Sequence, residues 1–427
     1  MRDDWNRRAS EDAHYYVAFG RRNQTGEEFF DTAREQVVGF RREMRRLTPG
    51  RPRARRALEI GCGPGRLLKP MSAFFGEIHG VDVADEMVAR ARTNLAAIPH
   101  AHAHHAPNSD LSAFADESFD FIYSYAVFQH IPSREVVFGY LDESVRVLKP
   151  GGLIRCQING LPPSARSYDT WSGVRVSAEE VRDYARARRL ALLALEGVGT
   201  QYLWVTFRKP FADAGSEAPL VLLPRIHRVS NANSSEPAIP LRGRFAALGL
   251  WVEGLPEWAD LLRLEAFVDG APAFLSYLAH PEPDGLRQLN LHLPEGLTSG
   301  LKPLHLLLDG QPVAEARVRL VPPGPVVPRL VSLTDGIDLL SGTNITSRTV
   351  KISFEEIERP EDLRVFVRWA GADPVPAEEM EYFCTNPRVP SHELNFRMPA
   401  AAPAGEVEVL VGLGRRLLGR GAVTIAA

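Results

Sequence analysis

The stretch that most constrains the fold is residues 57–68, which read ALEIGCGPGRLL. An apolar run is followed by glycines at alternate positions, Gly61, Gly63 and Gly65, and then by a helical pattern. Glycine allows a positive φ and lets a bound molecule approach the backbone closely. The free N–H groups and the positive dipole end of a helix N-terminus favour a carboxylate or phosphate. The stretch therefore predicts a strand, a sharp turn and a helix that faces an anionic group of a ligand.

Strands and helices alternate regularly from this point onward. The predicted strands are residues 57–60, 78–83, 119–124, 152–158, 191–195 and 203–208. The predicted helices are residues 66–75, 85–97, 133–148 and 177–190. Ser177 and Glu180 have the spacing of a capping box, which marks the start of the last helix. This alternation predicts βαβ units and an α/β fold with a doubly wound, mostly parallel sheet.

The pattern changes after the last of these strands. Residues 211–218 are rich in small and acidic residues and are predicted to form a linker. Short alternating runs follow, and the segment NLHLP at 290–294 resembles NFRMP at 395–399. The offset is about one hundred residues, the size of an immunoglobulin-like domain. We therefore expect two all-β, immunoglobulin-like sandwich modules, at 219–322 and 325–427.

Composition limits the class of protein. The chain has 427 residues and a formal net charge of −3, so it is too long for one ordinary core and has no general attraction for nucleic acid. Cys62, Cys156 and Cys384 lie far apart, which argues against a zinc site and favours a reducing compartment. The sequence shows neither a secretory signal nor an apolar run of roughly 18 residues. We expect a cytoplasmic protein with no membrane or nucleic-acid partner.

An acidic residue follows the glycines at an informative distance. Asp82 ends the second predicted strand, about 20 residues further on, where an acid can reach ribose hydroxyls. A carboxylate suits that role because it accepts two hydrogen bonds. Asp82 is therefore predicted to bind ribose, whereas Asp85 better suits a cap on the next helix. Both a dinucleotide-binding domain and a methyltransferase domain fit these two features.

Further motifs make the resemblance more specific. Residues 59–66, EIGCGPGR, resemble the E/DxGxGxG motif of class I S-adenosylmethionine-dependent methyltransferases rather than GxGxxG. The other matching motifs, in the family's order, are GVD at 80–82, SFDFIYS at 118–124, FQHIP at 128–132 and VLKPGGL at 147–153. The resemblance implies a Rossmann-like fold, S-adenosylmethionine as cofactor, and in-line displacement of its methyl group by a nucleophile of the acceptor.

The resemblance also implies roles for individual residues. The glycine loop, including Cys62, would receive the methionine end of the cofactor, and Glu59 would lie near its amino group. Asp82 would bind the ribose. The remaining implied cofactor contacts are Val83 and Met87 beside the adenine, Asn108 at the adenine amino group, and Tyr125 and Ala126 facing the sulfonium. Residues 107–109, PNS, replace the family's GDA-like triplet, so the resemblance supports the adenine contact of Asn108 less strongly than the other roles.

The acceptor side has fewer signals. His130 is the candidate general base, since it lies at the mouth of the implied site and titrates near neutral pH. Alternatively, its turn positions the loop or caps the following helix. Tyr168, Trp171 and Tyr202 are candidate acceptor contacts, because aromatic and polar side chains together can grip a sugar or another polar ring. The alternative for these three is simple packing.

Two more groups of residues have open interpretations. Trp5, Tyr15 and Tyr16 precede the domain and either fold back over its ligand or anchor the terminus. The closely spaced histidines of residues 100–105 are interpreted as a surface strand rather than a metal site, because no Cys or carboxylate accompanies them. No metal is therefore predicted.

The predicted organisation is a helical, basic segment at 1–56, a methyltransferase domain at 57–210, the linker and the two β-modules. The leading function is methyl transfer to an O or N nucleophile of an unidentified acceptor, with a small molecule or a glycan favoured. A second hypothesis is a catalytically silent S-adenosylmethionine-binding protein whose β-modules bind a glycan or a protein. A nicotinamide-dependent oxidoreductase is disfavoured by the glycine spacing and the KPGG segment.

Overall fold

The computed structural model describes most of the chain. The described residues are 1–18, 23–47, 52–107, 109–163, 168–212, 223–243, 246–324, 327–337, 341–355, 357, 362–386 and 391–426. They divide into two compact units. The first unit contains residues 1–18, 23–199 and 203–322, and the second contains residues 200–202 and those from 323 onward.

The first unit begins with helices and an alternating α/β region. Its elements are α1 Arg2–Val17, α2 Gly26–Asp31, α3 Arg34–Met44, β1 Arg56–Ile60, α4 Leu68–Met71, β2 Glu77–Asp82, α5 Asp85–Leu95, β3 Ala101–His105, β4 Phe119–Ser124, α6 Arg134–Val147, β5 Leu148–Ile158, α7 Ala178–Ala187, β6 Ala191–Glu196 and β7 Leu203–Arg208. Ser177 caps α7, and its capping box with Glu180 is present as predicted.

The strands of this region form a sheet in the order β3-β2-β1-β4-β5-β7-β6. Neighbours from β3 to β5 are parallel, and β7 is antiparallel to both β5 and β6. The predicted Rossmann-like α/β fold is therefore confirmed for this region. The strand order reverses between β1 and β4, and ligands of such sheets bind at that switch point, beyond the carboxyl ends of the strands.

One predicted helix is much shorter than expected. The pattern predicted helix over residues 66–75, but α4 spans only Leu68–Met71 before a 3₁₀ turn at Ser72–Phe74. Pro70 lies within this stretch. A proline has no backbone N–H to donate and is tolerated only in the first turn of a helix, which is where Pro70 lies in α4.

The first β-rich region belongs to the same unit. Its strands are β8 Arg225–Asn231, β9 Ala238–Pro240, β10 Ala247–Glu253, β11 Leu264–Val268, β12 Ala271–Leu278, β13 Leu286–His292, β14 Gly300–Leu308 and β15 Gln311–Val321. Tyr277 of β12 pairs with Ala194 of β6, so the hydrogen-bonded sheet continues from one region into the other. One hydrophobic core includes Leu195 and Leu275. The structure therefore groups 57–210 with the first β-rich region, and the separate domain boundaries remain a prediction.

The second unit is all β among its described residues. Its strands are β16 Arg329–Asp335, β17 Asn344–Ile345, β18 Thr349–Glu355, β19 Leu363–Arg368, β20 Val375–Pro376, β21 Glu378–Asn386, β22 Ser391–Arg397, β23 Gly405–Leu413 and β24 Arg416–Ile425. They form one sheet in the order β16-β18-β22-β21 and another in the order β17-β24-β23-β19-β20. Phe354 of the first sheet and Val409 of the second share one hydrophobic core. The immunoglobulin-like assignment of either β-rich region remains a prediction.

No helix within the described ranges has the length and apolar character needed to cross a membrane.

Candidate active site

The glycine loop connects β1 to α4 in a conformation that requires glycine. The φ angles of Gly61, Gly63 and Gly65 are +71°, +51° and +89°, in the left-handed region that side chains disfavour. A Cβ at Gly61 would also lie 2.3 Å from Cγ2 of Val127. The loop is held to the neighbouring strand because the N–H groups of Gly61 and Cys62 both donate to the carbonyl of Val81, at 2.8 and 3.0 Å. The buried Cys62 thiol has its pKa raised by burial.

Asp82 joins this loop to the end of β2. Its Oδ2 accepts the N–H of Gly63 at 2.8 Å, and its Oδ1 accepts the N–H of Ala84 at 2.9 Å. Burial raises the pKa of the carboxyl, and these backbone hydrogen bonds oppose that effect. The carboxylate of Asp82 thus lies at the carboxyl ends of β1 and β2, next to a loop in which every second residue is glycine.

Glu59 lies beneath the same loop. It is only 3% exposed, and its Oε2 accepts the hydroxyl proton of Tyr123 at 3.0 Å. Burial raises the pKa of Glu59 well above its usual range. The positive charge of Arg66 opposes this shift. A buried carboxyl of this kind can hydrogen-bond either a cofactor ammonium group or a water molecule next to it.

Helix α1 covers the mouth of the glycine loop. Ala9 and Ala13 pack with Met87 of α5 in a small apolar cluster. A Cβ at Gly63 would meet Cγ2 of Val17 at 3.4 Å, so the end of α1 lies directly over the loop. Helix α1, which carries Trp5, Tyr15 and Tyr16, therefore folds back over the glycine loop, and the role of these aromatic side chains toward a ligand remains a prediction.

A chain of hydrogen bonds runs from the loop after β4 to the segment after β5. The N–H of Ala126 donates to Oε1 of Gln157 at 2.9 Å, and Nε2 of Gln157 donates to Oε1 of Gln129 at 2.9 Å. Gln129 Nε2 in turn donates to His130 Nε2 at 3.2 Å, and His130 Nδ1 donates to the carbonyl of Thr170 at 3.2 Å. This order of donors defines a neutral imidazole with its proton on Nδ1.

His130 lies in an aromatic and cationic surrounding. Its ring centroid is 5.4 Å from that of Trp5 and 6.4 Å from that of Trp171. The guanidinium of Arg8 lies 4.7 Å from the Trp5 ring and 4.8 Å from the Trp171 ring. Burial, and then the charge of Arg8, lower the pKa of His130 to about 4. The imidazole is therefore neutral at pH 7.

The structure brings together most of the predicted residues, but not all of them. Met87 is buried beneath α1, and Tyr125 stacks on Trp204 with ring centroids 5.4 Å apart. Tyr168 is partly buried against the main core. Tyr202 is grouped with the second unit. Val83 is partly buried at the end of β2, and Asn108 lies outside the described residues.

Sequence reasoning missed several residues of this site. Arg8 was not singled out, although it contacts both tryptophans next to His130. Gln129 was quoted only within a motif, and Gln157 was not noticed. The sequence could have pointed to Arg8, because it lies about one helical turn after Trp5 and therefore on the same face of the helix. No signal could have found the two glutamines, because their pairing depends on the packing of β5 against the turn after β4.

Histidines of the neighbouring strands β2 and β3 contact each other. His79 Nδ1 and His104 Nε2 are 3.0 Å apart, and His79 Nε2 lies 2.9 Å from Oε1 of Glu77. Among the described residues, no group of three or more potential ligands has a geometry that could hold a metal ion.

The comparisons with known proteins concern the α/β region. A family model described as a methyltransferase domain matches residues 58–156. The ubiquinone biosynthesis O-methyltransferase of Ruegeria pomeroyi is 35% identical over 112 residues, which cover 26% of this chain and 43% of that protein. The protein of the same name from Sinorhizobium fredii is 31% identical over 99 residues, which cover 23% of this chain and 39% of that protein. The chain thus spans less than half the length of these relatives.

One solved structure is similar over a larger part of the chain. Phosphoethanolamine N-methyltransferase 1 of Haemonchus contortus, in complex with phosphoethanolamine and S-adenosylhomocysteine, is 14% identical. The similarity covers 51% of this chain and 50% of that one, with a TM-score of 0.35. The domain match supports a methyltransferase domain that uses S-adenosylmethionine. The glycine loop and Asp82 fit that cofactor, because they offer bare backbone and a carboxylate at the switch point of the sheet.

Proposed function

We propose that this chain transfers the methyl group of S-adenosylmethionine to an O or N nucleophile of an acceptor, with a small molecule or a glycan favoured. The observation that carries the proposal is the hydrogen bond between Asp82 and the N–H of Gly63, at 2.8 Å. It joins a ribose-binding carboxylate to a positive-φ glycine loop at the topological switch point, the place where such sheets bind ligands.

The cofactor residues have distinct tasks in this proposal. The loop from Gly61 to Gly65 would hold the methionine end, because its three glycines have positive φ angles and lack side chains beside the backbone N–H groups. Glu59 would accept a hydrogen bond from the amino group, directly or through water. Asp82 would accept both ribose hydroxyls. Val83 and Met87 would flank the adenine and Asn108 would meet its amino group. The bound cofactor supplies an electrophilic methyl group, so the protein mainly aligns the acceptor with it.

Tyr125 and Ala126 would face the sulfonium and its methyl group, and the acceptor side would be formed by His130, Tyr168 and Trp171. Tyr202 is proposed as a further contact. His130 is the proposed general base for a hydroxyl acceptor, because its Nε2 carries a lone pair at neutral pH. That lone pair accepts a hydrogen bond from Gln129, so the acceptor must displace the amide to reach it. With a pKa of about 4, His130 would be a weak base until the acceptor changes its surroundings.

A cleft in the β-rich part of the chain favours a second role, saccharide binding, either together with methyl transfer or in its place. A cleft of about 590 Å³ in the second unit is lined by Trp369 with Arg368, Asp373 and Glu406. An aromatic ring next to charged hydrogen-bonding groups suits a polar ring such as a sugar. This cleft supports a saccharide ligand for the β-rich part, either the acceptor itself or a partner of a catalytically silent protein.

Calorimetry with S-adenosylhomocysteine tests the cofactor site directly. The wild-type chain should bind it, and Gly61→Ala should not, because the new Cβ would meet Val127 at 2.3 Å and φ is +71°. Gly39→Ala is the matched control, since nothing lies within 4 Å of a Cβ there. Absence of binding by the wild-type chain would refute the methyltransferase proposal. Binding without methyl transfer to a broad panel of hydroxyl and amine acceptors would favour the silent alternative.

A further inference from the structure

A buried arginine lies where the helical segment meets the first β-rich region. Arg46, two residues beyond α3, is only 2% exposed, and its Nε donates to Oε2 of Glu43 at 2.7 Å. Its guanidinium lies 5.0 Å from the ring of Tyr277 in β12. The two terminal nitrogens, Nη1 and Nη2, are buried and have no hydrogen-bond partner among the residues that the structure describes.

Two more arginines reach the same place from different elements. Arg208, at the end of β7, donates from Nη2 to the carbonyl of Arg46 at 3.1 Å. Its Nε is buried and likewise has no partner within the described part of the chain. Arg287 of β13 is 2% exposed. Its Nε donates to the carbonyl of Ala279, two residues after Tyr277, at 3.1 Å, and its Nη1 donates to the carbonyl of Pro256 at 2.7 Å.

The electrostatics show that these cations act on one another. The pKa of Arg287 is lowered to about 9 by burial and then by the charges of Arg46 and Arg208. The pKa of Arg208 is lowered to about 10 by burial and by Arg46. Burial, and then the charges of the same three arginines, lower the pKa of His280.

The acidic groups nearby offset this charge only in part, although Asp260 joins Glu257 in opposing the pKa shift of Arg287. Glu257 opposes the pKa shifts of Arg208 and Arg287, but its side chain is exposed to solvent, where its attraction is screened. Glu43 is fully buried and already accepts the Arg46 Nε proton. Its pKa of about 2 shows that it is ionised, with Arg46, Arg155 and Arg42 all stabilising the charge. Burying cationic nitrogens without hydrogen-bond partners, as for Nη1 and Nη2 of Arg46 and Nε of Arg208 in the described part of the chain, is costly, so such groups normally pair with an anion.

We propose that Arg46, Arg208 and Arg287 form a binding site for a tetrahedral oxyanion, a phosphate or sulfate group. Guanidinium groups match such oxyanions because they donate two parallel hydrogen bonds in a planar fork. Arg208 pairs with Leu153 in the ladder between β7 and β5, five residues before the carboxyl end of β5. The anion site therefore lies away from the cofactor loop, and the inference does not depend on methyl transfer.

Thermal unfolding of the full chain in inorganic phosphate tests the proposal, with sodium chloride at equal ionic strength as the reference. Phosphate and sulfate should each raise Tm by about 2–4 °C at a tenfold excess over Kd, whereas acetate, which is planar, should raise it less. Arg208→Met should abolish the rise. Arg186→Met is the matched control, because Arg186 is an exposed arginine of α7 and its loss changes the net charge equally.

A second variant covers the case in which Arg208→Met does not fold. Arg46→Lys keeps a cation next to Glu43 but removes the two unpartnered nitrogens, so it should weaken phosphate binding at least tenfold by calorimetry. The proposal is overturned if wild-type Tm is the same in phosphate and chloride. It is also overturned if the folded variants retain the full phosphate effect, or if Arg186→Met loses it as well.

Discussion

The carboxylate of Asp82 accepts a hydrogen bond from the N–H of Gly63 at 2.8 Å. Asp82, at the end of β2, thereby holds the glycine loop that follows the neighbouring strand β1. The two residues are far enough apart in sequence that each was assigned a separate ligand role from its own motif. In the structure they form one site, so a change in either should disturb both the loop and the cofactor.

Asp82→Asn should weaken binding of S-adenosylhomocysteine by about 10- to 100-fold, as expected when a charged hydrogen-bond acceptor is lost. One oxygen becomes an NH₂ group that cannot accept the N–H of Gly63 or Ala84. Calorimetry measures the change. Asp183→Asn, at an exposed acid of α7, should leave the affinity unchanged. Equal affinities for wild type and Asp82→Asn would contradict the assigned role.

Arg8→Met should raise the pKa of His130. The charge of Arg8 is the second-largest cause, after burial, of the low value of about 4. A methionine keeps much of the side-chain volume between Trp5 and Trp171 but carries no charge. NMR titration of the imidazole measures the pKa. Arg7→Met serves as the control, because Arg7 lies on the same helix with its side chain 64% exposed. No difference between the two variants would show that Arg8 does not act on His130.

His130→Ala should lower turnover by about 10²- to 10⁴-fold if the imidazole is the general base. Affinity for S-adenosylhomocysteine should stay unchanged, since the contacts of the glycine loop do not involve this residue. His227→Ala, which removes an exposed histidine of β8, should have no effect on either quantity. If His130→Gln restores turnover, the residue positions the segment around Thr170 and does not accept a proton.

The free energy of unfolding should fall as the pH is lowered from 6.5 to 5. Both His79 and His130 have a folded-state pKa of about 4, lowered chiefly by burial from the ordinary value of 6.5. At these two residues the unfolded chain binds protons in this window that the folded chain does not, so their titration favours unfolding in acid. Urea titrations at several pH values measure the slope. His79→Phe should reduce it, and an unchanged slope would show that His79 does not titrate as described.

The α/β region was largely predictable because its signals are local. Strand positions follow from short apolar runs, and the start of α7 follows from the capping box of Ser177 and Glu180. The glycine loop was predictable because few residues other than glycine tolerate its φ angles. The length of α4 was mispredicted, because the apolar pattern continued to Phe75 whereas the helix ends at Met71.

The sequence did not indicate that the first β-rich region shares a sheet with the α/β region. Residues 211–218 have the composition of a linker, yet β12 continues the sheet by pairing with β6 through Tyr277 and Ala194. Strand pairing of this kind joins residues distant in sequence, and no periodicity within either strand records its partner.

By itself, the sequence determined the order of strands and helices, the glycine loop and the acid that follows it, because these depend on local backbone preferences and short spacings. Only the tertiary structure decided which side chains meet. It placed Arg8 between Trp5 and Trp171, and it brought Arg46, Arg208 and Arg287 near one another from three separate segments. The physical reason is that burial and electrostatic interactions depend on distances in space, whereas periodicity depends only on neighbours along the chain.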